Sequence, residues 1–372
     1  MRRTTHAVSA AELCLHLAGG TANDYVRLRQ SIGRRLAWDR RPRAQVAGAG
    51  LSPQRLQRIV VGADRQLARQ EVERLDRIGA RLVSWRHTDY PPGLRHLPQP
   101  PLLLAIRGRW PVDPRAVAIV GARAATAYGT QAARRLAGAA ARAGLPVVSG
   151  LARGIDREAL EAALTEDAWP VAVLGCGLDV YYPPEHERLQ ESIAERGTLI
   201  SEFPMGQRPD RFAFPRRNRI IAALAQKVLV VEAGERSGAL ITADHALEIG
   251  RQVMAVPGPI DSFQSRGTNR LIADGAHPAL DERWMLELLG CRAPVAQIAA
   301  ADPDEDPVLA ALGTRPLAPD ELAAATGQDV RGVRAALIAL ELAGRVCRVA
   351  GGRYTRRDAP RRTRPSPRRG AR

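Results

Sequence analysis

The sequence predicts an α/β fold: a doubly wound, mostly parallel sheet, with a helical module before it and a winged helix after it. Three observations predict this. Between residues 116 and 260, short apolar runs recur, and each ends in Gly, Ser, Arg or Asn. Segments with apolar residues at helical spacing follow the runs, and a strand-helix alternation of this kind builds a parallel sheet. The chain has 372 residues, enough for two or three domains, and its core must be aliphatic because aromatics make up only 4% against 45% hydrophobic residues overall.

Residues 1–78 carry helical spacing in AELCLHLAGG and in PQRLQRIVVGADRQLARQEVERLDRIG. Within them AGAGLSPQRLQRIV has two readings: a plain packing helix, or a helix-hairpin turn whose glycines approach a phosphate while Ser52 caps the next helix. A proline-rich connector, TDYPPGLRHLPQPPLLLAIRG (Thr88–Gly108), leads into the main α/β domain, expected over 79–290. Its runs are AVAIVGAR (Ala116–Arg123), PVVSGLARGID (Pro146–Asp156), VAVLGCGLD (Val171–Asp179), TLISEF (Thr198–Phe203), FPRRNRI (Phe214–Ile220), VLVVEAGERSGALIT (Val228–Thr242) and VMAVPGPI (Val253–Ile260).

A polar linker is expected over 291–306, ending in the acidic ADPDEDP. Residues 307–355 then read as three helices and a hairpin, with helices in PDELAAATG and DVRGVRAALIALELAGR and two short strands in RVCRVAGGRYT around Gly351-Gly352. Helix, turn, helix and hairpin in that order is the winged-helix pattern, used elsewhere for duplex DNA or for protein contacts. Its second helix carries Arg331 and Arg334 but also Asp329, which leaves both uses open. The tail 356–372 is arginine- and proline-rich and is expected to be disordered.

The formal net charge of +16 predicts a polyanionic partner. Eight arginines against one acid in the tail account for seven of those charges, so an excess of nine remains on the rest of the chain. Lys227 is the single lysine, so arginine supplies nearly all of the positive charge. Cys14, Cys176, Cys291 and Cys347 are scattered, with neither zinc-site nor disulfide-framework spacing, which fits a reducing cytoplasm. No long apolar run follows the basic N-terminus, so neither a signal peptide nor a membrane span is expected.

The strand ends lie together on one edge of such a sheet, the edge where ligands bind. Gly121 and Arg123 end the first run, and Ser149, Gly150, Arg153 and Gly154 form a small-residue loop before a helix. Arg216, Arg217, Asn218 and Arg219 make a basic corner, while Ser237, Gly238 and Thr242 open a further helix. Helix N-termini, backbone N–H groups and guanidinium groups together are a means of holding phosphates. The G-x-G-x-x-G dinucleotide fingerprint and the Walker lysine are both absent. Cys176 and Ser149 read as a small buried residue and a loop hydroxyl rather than nucleophiles, and His245 as a structural residue. Asp156 reads as a helix cap, and Glu202 and Glu232 read as acids that orient Arg123 and the Arg216–Arg219 cluster. No catalytic residue, cofactor or metal site is expected.

At these residues the chain resembles the DNA-processing protein A family (DprA, also called Smf). The resemblance rests on the ordered set TDYPPGLRHLPQPPLLLAIRG, VAIVGARAATAYG, VVSGLARGID, VLGCGLDVYYPPEHERL, LISEFP, FPRRNRIIAALA, VLVVEAGERSGALITADHALEIGR and VPGPIDSFQSRGTNRLIADGA, which spans roughly 88–290. It implies an extended Rossmann-like domain and a homodimer. It also implies a cytoplasmic single-stranded DNA-binding protein of natural transformation that protects incoming DNA and loads the RecA recombinase. The pocket it implies would use Arg123, the Ser149–Gly154 loop with Arg153, the Arg216–Arg219 loop, and Ser237, Gly238 and Thr242. One departure is Leu160, where many members carry a histidine. Phe212, Phe214 and Phe263 are candidates for stacking on bases, each equally readable as core. The alternative is a nucleotide sensor or nucleotide-processing enzyme of related fold. Its usual PGG-x-GT loop is replaced here by EAGERSGALIT, although Glu232 keeps an acid at that strand end.

Overall fold

The computed structural model describes residues 8–32, 65–291, 306–312 and 316–356. The turn around Ser52, most of the 291–306 linker and all but the first residue of the arginine-rich tail therefore lie outside the described residues. The chain divides into two compact units, Met1–Ala293 and Pro294–Arg372.

In the first unit, α1 (Ala10–Leu17) starts at a capping box in which Ser9 and Glu12 satisfy each other's backbone N–H groups. It is followed by α2 (Ala22–Ile32) and α3 (Arg65–Arg77). The connector then supplies β1 (Arg81–Ser84), the single turn α4 (Pro92–Arg95) and β2 (Leu103–Gly108). The alternating section follows as β3 (Val117–Val120), α5 (Ala127–Arg142), β4 (Val147–Ser149), α6 (Ile155–Thr165) and β5 (Pro170–Leu174). It continues as α7 (Glu187–Arg196), β6 (Thr198–Ser201), α8 (Ala213–Leu224) and β7 (Lys227–Val230). It ends with α9 (Gly238–Glu248), β8 (Gln252–Ala255), α10 (Arg266–Ala273), β9 (His277–Pro278) and α11 (Glu282–Leu288).

One nine-stranded sheet runs β1-β2-β6-β5-β4-β3-β7-β8-β9. The seven strands from β6 to β9 pair in parallel, and β1 and β2 extend the β6 edge antiparallel. Winding therefore proceeds from β3 through β4 and β5 to β6 on one side, and through β7 and β8 to β9 on the other. The order reverses between β3 and β7, the point at which a crevice opens above the strand ends of such sheets. Strands buried on both faces read as continuous apolar runs, and VAIV in β3 and PVAVL in β5 are buried throughout.

The helices cover both faces. Ala133, Ala137 and Ala140 of α5 and Ala159 and Ala163 of α6 pack on one side with Val117, Ile119 and Leu229. Ile220, Ile221, Ala239 and Ala243 pack on the other with Ala118, Val120, Val148 and Val228. Small alanines let the helices approach the sheet closely, the packing that so few aromatics require. FPRRNRI is not a strand end: it forms the opening turns of α8, because its partners at i+3 and i+4 (Ile220, Ile221, Leu224) continue a helical apolar face.

The second unit has its own core of Val308, Leu309, Leu312, Leu322, Val333, Leu337, Leu340 and Val346. Helices α12 (Pro307–Ala311), α13 (Pro319–Thr326) and α14 (Val330–Leu342) precede the hairpin β10 (Val346–Val349) and β11 (Arg353–Arg356). Asp329 caps α14 by accepting the N–H of Gly332 at 2.6 Å, which explains an acid on an otherwise basic helix start. No helix among the described residues is long and apolar enough to cross a membrane.

Candidate nucleic-acid interface

The loops after β3 and β7 part at the switch point and enclose a cavity of about 580 Å³. Gly121–Ala124 forms one wall, Gly234 and Arg236–Ala239 a second, Arg211 and the start of α8 a third, and Phe263 and Gln264 a fourth. Of the residues expected from sequence, Gly121, Arg123, Arg217, Asn218, Ser237, Gly238 and Thr242 line it. Ser149, Gly150, Arg153, Gly154, Arg216 and Arg219 do not.

The walls are fixed by backbone contacts. The N–H of Ile155 donates to Ala122 O at 3.2 Å, and a Cβ on Gly154 would come within 2.6 Å of Arg123 O. With φ at +73°, Gly154 is a glycine because two loops meet there. Ala233 N–H donates to Gln264 O at 2.8 Å and Gly267 N–H donates to Ala233 O at 2.7 Å, which pins the fourth wall.

Three arginines at this cavity have no carboxylate partner among the described residues. Arg123, Arg211 and Arg236 line it and are exposed. Arg123 lies over the ring of Phe214, 4.8 Å from its centroid. Arg211 and Arg236 lie outside the set expected from sequence. Arg236 had a signal, since it directly precedes Ser237 in EAGERSG; Arg211 had only its place three residues before FPRRN.

Several expected ligand groups are committed to the fold instead. The hydroxyl of Ser149 is buried and donates to Ile119 O at 2.6 Å. The N–H groups of Gly150 and Ala152 donate to Asp156 Oδ2, at 3.1 and 3.4 Å. Asp156 therefore ties its own loop rather than capping a helix with a free loop above it. Burial raises its carboxyl above the usual range, and the charge of Arg217 pulls the other way.

The basic corner is a helix, so its residues splay onto different faces. Arg217 is 3% exposed and donates to the carbonyls of Gly150 and Val173, and burial lowers its guanidinium to about 10. Arg219 is buried and donates to Glu202 and to Gln99 O. Arg216, half exposed, meets Glu202 at 3.2 Å. Asn218 Nδ2 donates to Gly238 O at 3.1 Å and so joins α8 to the start of α9. Glu202 does orient arginines, but Glu232 does not. Glu232 accepts from the N–H and hydroxyl of Thr126, anchoring the N-terminus of α5.

Arg153 is exposed and paired with Glu185, beside a smaller crevice that shares Arg123, Phe214 and Arg217 with the main cavity. At the opening of α9, Ser237 accepts the N–H of Ala239 at 3.3 Å, while Gly238 is exposed with open space beside it. The helix dipole adds positive potential at this wall. Burial pushes the Cys176 thiol up to about 12, which removes it as a nucleophile at neutral pH. Among the described residues no group of three His, Cys, Asp or Glu side chains is placed to hold a metal ion.

A family model described as DNA recombination-mediator protein A matches residues 81–290, more than half the chain. The chain belongs to that family. A second model, described as the DprA winged helix domain, matches residues 292–352. Protein Smf of Synechocystis is 34% identical over 365 residues, covering 86% of this chain and 91% of that relative. Protein Smf of Escherichia coli is 42% identical over 248 residues, or 63% of this chain and 66% of the relative. Among solved structures, the X-ray structure of DprA from Streptococcus pneumoniae superposes with a TM-score of 0.65 at 31% identity, covering 76% of this chain and 98% of that one. DNA processing protein A from Helicobacter pylori, solved for its single-stranded DNA binding mode, gives a TM-score of 0.51 at 30% identity, covering 56% of this chain and 96% of that one. Membership of the recombination-mediator family places the chain in DNA processing, and the arginine-lined cavity lies within the matched segment.

Proposed function

We propose that this chain binds single-stranded DNA across the edge where β3 and β7 diverge, protects it, and passes it to a RecA-type recombinase. Three exposed arginines without carboxylate partners around one cavity carry this reading. Guanidinium groups without carboxylate partners that converge on a concave site favour an anionic ligand. The cavity wall formed by the α9 N-terminus adds a further phosphate-binding element. Little sequence preference follows, because backbone phosphates carry no base information. A homodimer, cytoplasmic placement and the absence of enzymatic turnover complete the proposal. They rest on the family, as does the recombinase partner.

The test is fluorescence anisotropy of a labelled single-stranded oligonucleotide, with protein ending before Arg356, at several salt concentrations. Duplex DNA and free mononucleotides serve as competitors. Tight binding that weakens steeply with salt, and that single strands compete for best, supports the proposal. Equal competition by mononucleotide overturns the extended DNA track in favour of a nucleotide sensor. Loss of binding on removal of the tail shows that the cavity is not the site.

A further inference from the structure

The chain has four phenylalanines, and an arginine guanidinium lies over every one of them. The distances to the ring centroids are 4.8 Å for Arg123 on Phe214, 4.7 Å for Arg211 on Phe212, 5.3 Å for Arg216 on Phe203 and 5.8 Å for Arg266 on Phe263. Burial divides the four. Phe203 is a core residue, and Phe214 is partly buried against Tyr182, 5.4 Å away. Phe212 and Phe263 are 69% and 57% exposed.

We propose that Phe212 and Phe263 are stacking platforms for unpaired bases, one on each side of the arginine-lined cavity. The inference rests on the reading of that cavity as a DNA site. Each ring is carried by a fixed part of the chain. Phe212 stands at the start of α8, its N–H fixed to Asp210 Oδ1 at 2.7 Å. Phe263 packs against Gly234, where a Cβ would come within 2.5 Å of the ring. Phe263 lines the cavity directly, and Phe212 adjoins Arg211, which lines another wall.

The exposed part of each ring is an aromatic face that a partner can cover and so take out of water. The arginine beside each ring selects the kind of partner: one with a flat π-face and a negative charge next to it. An unpaired nucleotide supplies both, its base stacking on the ring or guanidinium and its phosphate meeting the cation. A duplex does not, since its base faces are already stacked on one another. The platforms therefore make the site selective for single strands, a property that phosphate-binding arginines alone do not confer. Arg266 also meets the exposed Glu235 at 3.5 Å, so its charge is partly balanced, and Phe212 with Arg211 is expected to be the stronger platform.

The experiment uses the full chain as wild type and as Phe212→Ala, Phe263→Ala and the corresponding Trp variants. Each is titrated with an ordinary single-stranded oligonucleotide and with one of the same length lacking bases, and melting temperatures verify that the exposed sites leave the fold intact. Either alanine is expected to weaken binding of the ordinary strand roughly five- to a hundredfold, the range for losing one base stack. Tryptophan is expected to restore it, and the slope against salt is expected to be unchanged because every arginine that meets a phosphate is still present. On the base-free strand, alanine variants and wild type are expected to bind alike. Unchanged affinity of both alanine variants for the ordinary strand, or an equal loss on the base-free strand, overturns the platforms while leaving the cavity reading intact. A wild-type chain that binds neither strand overturns the cavity reading itself.

Discussion

Asp156 turns its carboxylate back on its own loop, accepting the N–H of Gly150 at 3.1 Å and that of Ala152 at 3.4 Å. The same buried carboxylate faces the charge of Arg217, whose guanidinium holds the carbonyls of Gly150 and Val173. The small-residue loop between β4 and α6 is thus a braced wall rather than an open anion cradle. Its bracing keeps Ala122 and Arg123 where the neighbouring loop can present them.

Asp156→Asn should therefore act on stability first. The amide keeps the shape but loses the anionic acceptor that holds two loop N–H groups, and weakening buried hydrogen bonds to a charged group costs about 1–3 kcal/mol. A urea titration should show a loss near the lower end of that range, with the m-value unchanged. A loss under about 0.5 kcal/mol, the scale of an ordinary surface substitution, would mean that the amide holds the two N–H groups as well as the carboxylate does.

The architecture was legible in the sequence where one rule governs a segment. VAIV, PVAVL and the VLV of β7 are continuous apolar runs because parallel strands bury both faces. The site was legible only in part, because a motif gives residue types and not directions. FPRRNRI shows four polar side chains in a row. Helical geometry then sends Arg217 under the sheet edge and Arg219 to Glu202, and leaves Arg216 half exposed. Arg211 was missed because its contribution depends on a wall brought in from another part of the chain.

That sorting predicts unequal effects among arginines that look alike in sequence. Arg123→Ala should weaken oligonucleotide binding more than Arg153→Ala, because Arg123 lines the main cavity unpaired whereas Arg153 is held by Glu185. Arg211→Ala and Arg236→Ala should each flatten the plot of log affinity against log salt, by about 0.7 for each phosphate no longer neutralised. Arg123→Glu should cost more than deleting 356–372. Anisotropy at three or more salt concentrations decides this, and equal losses for Arg123 and Arg153 variants would refute the cavity assignment.

Glu202 supports a different expectation. Its side chain is 2% exposed and it holds Arg219, itself 10% exposed, together with Arg216. Glu202→Gln should leave Arg219 as an uncompensated buried cation and destabilise the fold by about 3 kcal/mol. At roughly 2–4 °C per kcal/mol for a unit of this size, the melting temperature should fall by about 6–12 °C. A double change, Glu202→Gln with Arg219→Met, should recover part of that loss. No recovery would show that the carboxylate acts on something other than Arg219.

His16 predicts a pH response with a definite sign. Burial lowers its imidazole from 6.5 to about 4, and the charge of Arg216 adds to the effect. Its Nε2 is buried with no hydrogen-bond partner among the described residues, in the helix whose Leu13 and Leu15 pack into the core with Leu75 and Leu103. The folded chain therefore keeps His16 neutral while the unfolded chain takes up a proton near 6.5. The stability that this supplies is fully present above pH 6.5 and is lost as pH falls toward 4. The whole interval corresponds to about 3 kcal/mol at 1.36 kcal/mol per pH unit. Carboxylates as a class titrate toward the acid end of this window, so the informative comparison is between wild type and His16→Leu. Melting temperatures from pH 7.5 to 4 should fall less steeply for the leucine variant, so that the difference between the two shifts steadily in its favour as the solution is acidified. Parallel curves over the whole range would show that His16 is not the group that titrates.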